Sequence, residues 1–334
     1  MMQYDLVPGK IISLSTMFHG KDAISADILL ELMDEFSKLE PGQHITINLA
    51  GEGYCFETSG LNSIIKLAAN RCEILYSNIT LETAGVIKSK TPFNQIHDNT
   101  IESFGGELGT SPSINKKITH KFCIFVNRAT FYRLVLSSWF YENAREVTFQ
   151  SFNADVSELL GDINDLVSVK DDIPQILKFM DALPIYLDFP NLDNFVKNNL
   201  NRNWELLTKY YTNSFLEFVI ETEWSGTVFY PTEKIFRPMA LKTPFIVFGS
   251  ENFLENLKKL GFKTFDQWWP ESYDLYERVP RVNEIIAVLE YINKQPFEVL
   301  NRWNDEMQEV LEHNRALLIS DDWFRKVEEL WDSS

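Results

Sequence analysis

Short apolar runs alternating with helical patterns narrow the possible folds of this chain more than any other feature. In the first third, "KIISLSTM", "HITINLA" and "EILYSNI" read as strands. Between them, "ADILLELMDEFSKL" and "LNSIIKLAANR" repeat apolar residues at the 3.6-residue helical period. Parallel neighbours need a crossover of a dozen or more residues, so this rhythm predicts an α/β unit with a mainly parallel sheet. Between Ser89 and Lys117 the rhythm dissolves into a stretch rich in Gly, Pro, Ser, Asn and Thr, which predicts an interdomain linker. It restarts at "HKFCIFVNRATFYRLVLSSWFYEN", a strand followed by a helix. A loop-rich middle, "DFPNLDNFVKNNLNRNWELLTKYYTNS", then precedes the strand "FLEFVIET". Two amphipathic helices, "NFLENLKKLGF" and "RVNEIIAVLEYI", and an almost wholly helical tail complete the chain.

A length of 334 residues exceeds the roughly 150 residues of a typical domain and fits two. We place an amino-terminal domain at 1–115, a second domain at 116–300 and terminal helices at 301–334 that cross back to the first. Apolar residues make up 45% of the chain, enough for ordinary globular cores. The formal charge of -17 repels phosphate backbones and anionic membranes over most of the surface. Cys55, Cys72 and Cys123 are widely spaced and form no CxxC, which argues against a disulfide framework or a zinc site and fits a reducing, cytoplasmic setting. No stretch approaches 18 uncharged apolar residues, and the opening "MMQYDLVPGKIISLSTMF" lacks a basic segment followed by an apolar one, so we expect a soluble chain without a membrane span.

The stretch "FYPTEKIFRPMALKTPFIVFGS", Phe229 to Ser250, sets an acid–base pair between a turn and an apolar strand. Thr232 is placed as the N-cap of a helix starting near Glu233. Lys234 adds a cation to a first turn whose backbone N–H groups already favour an anion. Upstream, the strand Leu216 to Ile220 leads into a loop carrying Glu221, Glu223 and Trp224, and downstream "PFIVFGS" reads as a buried parallel strand. Ligands of such sheets sit at strand carboxyl ends. A carboxylate such as Glu233 suits ribose hydroxyls and Lys234 suits a diphosphate, a pairing that a nucleotide sugar requires. The plainer alternative is a capped, solvated helix start.

"TEKIFRPMALKTPFIVFG" resembles the donor-binding segment of GT-B glycosyltransferases of the fucosyltransferase and exostosin-like type. The acidic loop "ETEW" is similar in position to theirs, and "KFCIFVNRATFYR" resembles the opening strand of their donor domain followed by an arginine. The resemblance spans Lys121 to about Trp269, and "GFKTFDQWWPESYD" is also similar to virus-encoded proteins with this module. It implies two Rossmann-like domains facing a cleft and a nucleotide-sugar donor held without a cofactor. Glu233 would hold the ribose and Lys234 the diphosphate, with Arg128 or Arg133 as the second phosphate cation and Thr232 and Glu223 beside them. The chain departs from the family pattern at "PMALKTP", where small residues are usual, and at "TEW", where Asn-Ser is common. Phe262, Phe265, Trp268 and Trp269 are most simply packing residues.

Inverting transfer in this architecture needs a base for the acceptor hydroxyl, and protein cations can stabilise the leaving diphosphate without metal. Glu52, between Gly51 and Gly53, and His19 stand at predicted strand-to-helix turns, with His97, Asp98 and Glu107 in the linker as further candidates. No DxD triplet occurs, nor GxGxxG, GxxxxGK[ST], HExxH or GxSxG. The expected acceptor is a saccharide hydroxyl. A modified base in DNA is the alternative, approached through Lys88, Lys90, Lys116, Lys117 and Lys121. A non-enzymatic two-domain binding or scaffold protein is the reading from another class.

Overall fold

The computed structural model describes residues 116–126, 129–152, 169–187, 204–221, 224, 229, 231–320 and 322–323. In the amino-terminal third it describes the backbone of 3–6, 10–13, 45–49 and 72–76, with positions 30 and 34. These segments form one four-stranded sheet. Strand β1 (Gln3–Leu6) runs antiparallel to β2 (Lys10–Ser13), and β2, β3 (Ile45–Leu49) and β4 (Cys72–Tyr76) follow in parallel. The three expected strands are thus present and parallel, as a mainly parallel sheet requires. β1, four residues long, was too short to be read from its alternation.

The second sheet holds β5 (His120–Val126), β6 (Thr148–Phe152), β7 (Ser214–Ile220) and β8 (Phe245–Phe248), all parallel, in the order β6-β5-β7-β8. Every residue of β7 and β8 is buried, as a parallel sheet covered on both faces requires. Helix α1 (Phe131–Asn143) covers one face, where Phe140 meets Phe122 and Phe218 with ring centroids 5.3 Å away in each case. Helix α2 (Ile173–Asp181) packs on α1, and Phe179 reaches Phe152. The opposite face carries Cys123, Phe125 and Glu217 and is covered by α3 (Trp204–Asn213) and α4 (Glu233–Ala240). Helix α3 corrects the loop assigned to this region: Asn-rich and Tyr-rich composition hid a helix whose Tyr210 and Tyr211 rings lie 6.2 and 5.8 Å from Phe125.

Beyond β8 come α5 (Phe253–Lys259), α6 (Arg278–Asn293), α7 (Phe297–Glu306) and α8 (Gln308–Ile319), in agreement with the helical periods there. Helix α5 ends on Gly261, whose φ of 97° is the left-handed conformation that glycine adopts without strain. Phe265 and Trp269 stack at 5.3 Å, and both are buried with Phe262, so the aromatic segment is core. The tail, expected to cross back to the first domain, packs against α4 and the 261–263 turn as far as residue 323. Arg315 donates to the Ala240 carbonyl at 3.2 Å, and the Asn314 amide pairs with the backbone of Lys263 at 2.8 Å in both directions. Trp323 lies 5.2 Å from the Phe236 ring.

A charged group anchors α4 in the middle of this core. The Glu217 carboxylate, fully buried in β7, accepts from the Arg237 guanidinium of α4 and from the Tyr211 hydroxyl of α3 at 2.6 Å. Arg237 also lies 5.4 Å over the Phe125 ring. Burial pushes the Glu217 pKa above the usual carboxylate range, against the opposing pull of Arg237 and the two hydrogen bonds. Removing one partner of a buried pair leaves the other charge uncompensated, at a cost of about 3–5 kcal/mol. Arg237→Met should therefore lose about that much stability in urea unfolding. The loss should grow as pH rises through the folded Glu217 pKa, because the protonated carboxyl needs no cation. The double variant Glu217→Leu/Arg237→Met should recover most of it.

Candidate functional site

In the sheet order β6-β5-β7-β8 the chain leaves β5 toward β6 on one side and leaves β7 toward β8 on the other. The carboxyl ends of β5 and β7 therefore frame a topological switch point, where open parallel sheets place their ligands. Three helices begin at this edge, and each start is served by a different side chain. At α1, Thr130 is the N-cap and its hydroxyl accepts from the Arg133 N–H at 3.4 Å. At α5, the Asp274 carboxylate reaches across the chain to accept from the N–H groups of Leu254 and Glu255 at 3.0 and 3.1 Å. At α4, Thr232 is the N-cap, as its sequence position predicts.

The Thr232 hydroxyl is the hinge of the α4 start. It donates to the buried Glu221 carboxylate at 2.5 Å and accepts from the Lys234 backbone N–H at 3.3 Å and the Lys234 ammonium at 3.1 Å. The Thr232 N–H donates to the other Glu221 oxygen at 3.1 Å. One donor and two acceptor positions are thereby all in use. Glu221 is the first residue after β7, so the strand end, the helix cap and the ammonium are fixed as one unit. Pro238, inside α4, has no N–H for the Lys234 carbonyl, yet the helix continues to Ala240. Lys242 then closes α4 in the left-handed region at φ 48°, with Lys242 N–H to Met239 O at 3.2 Å and Thr243 N–H to Pro238 O at 2.9 Å. This is the "PMALKTP" position at which the resemblance leads one to expect small residues.

Aromatic and polar groups surround the unit. The Trp224 ring lies 4.5 Å from Tyr132 at the start of α1 and stacks toward Phe248 at the end of β8. Gly249 follows β8, and a Cβ there would come within 2.7 Å of the Phe253 ring, so the turn requires glycine. Arg281 fixes this turn by donating to the carbonyls of Gly249, Tyr273 and Asp274. The Ser250 hydroxyl is buried at the same edge with no hydrogen-bond partner among the described residues.

Of the expected donor residues, the structure brings together Thr232, Lys234 and Arg133. Arg133, however, is only 8% exposed, and its guanidinium donates to the Glu221 main-chain carbonyl at 3.3 Å. It braces the end of β7. Glu233 occupies the first position of α4. Arg128, Glu223, His19, Glu52, His97, Asp98, Glu107, Lys88 and Lys90 lie outside the described residues. Lys116 and Lys121 are tied to main chain. Lys116 donates to the carbonyls of Ser214 and Phe215 at 3.1 and 3.0 Å, with burial bringing its pKa down to about 7, and Lys121 donates to the Asn293 carbonyl. Glu221 was visible in the sequence only as one loop carboxylate among several, since its partner lies eleven positions on. Among the described residues no three His, Cys, Asp or Glu side chains gather as a metal site, and no helix is long and apolar enough to cross a membrane.

A Thr N-cap is ordinarily worth about 1 kcal/mol, and a hydrogen bond to a buried charge about 1.5–3. Thr232→Ala removes both and leaves the Glu221 carboxylate without its hydroxyl partner. We expect a loss of about 2–4 kcal/mol by chemical denaturation, with part recovered in Thr232→Ala/Glu221→Gln. Strict additivity in that double-variant cycle would contradict the coupling. A comparison with family models, curated proteins and solved structures finds no match to this chain.

Proposed function

We propose that the chain is a glycosyltransferase that takes its sugar from a nucleotide donor without a metal and transfers it, with inversion, to a saccharide hydroxyl. The carboxyl-terminal sheet of residues 116–300 is the donor domain, and residues 1–115 supply the acceptor side of a GT-B-like cleft. The observation that carries this reading is the Lys234 ammonium, held 3.1 Å from the capping Thr232 hydroxyl at the carboxyl edge of a parallel sheet beside its switch point. Lysine there meets the positive end of the α4 dipole, a combination that favours a phosphate over any neutral ligand.

The chemistry follows from that placement. The acceptor oxygen attacks the anomeric carbon while the bond from that carbon to the diphosphate oxygen breaks. Lys234 and the first turn of α4 receive the negative charge that develops on the leaving diphosphate. A base from the amino-terminal domain, Glu52 or His19, takes the acceptor proton. Glu233, first in the helix, is the ribose partner, and the half-buried Trp224 borders the same edge.

Glu221 favours a rival reading, a cap that serves folding alone, because its carboxylate already satisfies Thr232. Titration separates the two. A thermal-shift series of nucleoside diphosphates and nucleotide sugars, in chelator, should raise the wild-type midpoint with one base. At a ligand concentration about 100 times Kd the gain is about 2.7 kcal/mol. Lys234→Ala should lose the shift while unfolding near the wild-type midpoint without ligand. An equal shift in Lys234→Ala, or none with any nucleotide, would leave the cap as a folding device.

A further inference from the structure

A depression lies at the end of the carboxyl-terminal sheet opposite the α4 start. It is bounded by the first residues of β6 and the end of α3, and register places both at the amino-terminal edge, away from the α4 start. Its volume is about 420 Å³, within the roughly 300–1,000 Å³ usual for small-ligand sites.

The walls combine three kinds of group. Phe149, Tyr141, Tyr186 and Tyr210 supply rings, and Tyr186 is 42% exposed. Two cations are laid over ring faces at the rim. The Arg145 guanidinium sits 4.5 Å above Tyr141 and bonds its hydroxyl at 3.0 Å, and the Lys209 ammonium sits 4.7 Å above Tyr210. One amide stands at the rim: Asn213 Nδ2 donates to the Lys209 carbonyl at 2.6 Å, whereas the buried Gln150 amide donates to the Ser137 carbonyl of α1 at 2.8 Å, on the other face of the sheet. No carboxylate occurs among the described lining residues, although the chain carries 48 acidic side chains.

We infer that this depression is a saccharide-binding site, separate from the α4 start. A sugar ring has an apolar C–H face and a periphery of hydroxyls that both donate and accept. Rings beside the Asn213 amide and the two cationic donors offer a surface to both parts, whereas a wholly apolar ligand would make no use of the polar rim. The site lies at the sheet edge away from the proposed transfer centre, so it holds a glycan rather than reacting with it. It stands whether or not the α4 start binds a nucleotide.

Saturation-transfer NMR with maltotriose, chitotriose and trigalacturonate tests this on the full chain and distinguishes neutral, acetamido and acidic sugars. At least one should receive saturation, with the millimolar affinity of a shallow site (about -4 kcal/mol). Tyr186→Ala and Arg145→Ala, both at exposed side chains, should each weaken it about tenfold or more, about 1.4 kcal/mol, at unchanged melting temperature. Lys234→Ala should leave it unchanged. Absence of transfer to all three sugars, equal transfer in Tyr186→Ala and Arg145→Ala, or loss in Lys234→Ala would overturn the assignment.

Discussion

The buried contact between Glu217 and Arg237 is the constraint on which the carboxyl-terminal half depends. It crosses from the centre of β7 to the middle of α4 and fixes the helix against the sheet at one rotation. With that rotation set, the start of α4 meets the end of β7, and Glu221 can accept from both the N–H and the hydroxyl of Thr232. The Lys234 ammonium then arrives at the carboxyl edge because it is two residues from the cap and three from the anchor. A helix packed only by Phe236 and Met239 against apolar neighbours would have no such fixed rotation, since apolar contacts are not directional.

Burying charge in a core is costly, and this sheet does so where it also carries its candidate site. The ion pair at Glu217 is joined by the Tyr211 hydroxyl, and the Cys123 thiol nearby is pushed strongly upward by burial and the same carboxylate. Arg281, 1% exposed, repeats the device on the far side of β8, spending its guanidinium on three carbonyls that shape the turn after Gly249. Arg133 does likewise at the end of β7. Main-chain loops at the carboxyl edge are therefore held by buried guanidinium groups, while the ammonium of Lys234 is left half-buried at the helix start.

Much of this was legible in the residues. The continuous apolar run in β8 identifies a buried parallel strand, the apolar stretches of β5 and β7 identify strands, and Thr232 before Glu-Lys identifies the helix start, because these signals are local. The amphipathic periods of α6 to α8 are equally local. What the sequence hid was tertiary. A glutamate inside "FLEFVI" carries no mark that it will face an arginine twenty positions later. Arg133 matched the spacing of a phosphate cation, yet the start of α1 turns it onto a carbonyl. Helix α3 was lost to its Asn and Tyr content, and β6, "TFQSF", was too short and too polar to stand out. The saccharide depression drew on β6 and α3 together, so no reading of the sequence could assemble it.

The start of α4 is the proposed phosphate site. A crystal structure of the full chain grown with a nucleoside diphosphate tests this directly, because it reports the position of the phosphates rather than a change in affinity. Phosphate oxygens should lie within hydrogen-bond reach of the Lys234 ammonium, which would swing from the Thr232 hydroxyl while Glu221 keeps its bonds to Thr232. A nucleotide seated elsewhere, with Lys234 still on Thr232, would contradict it.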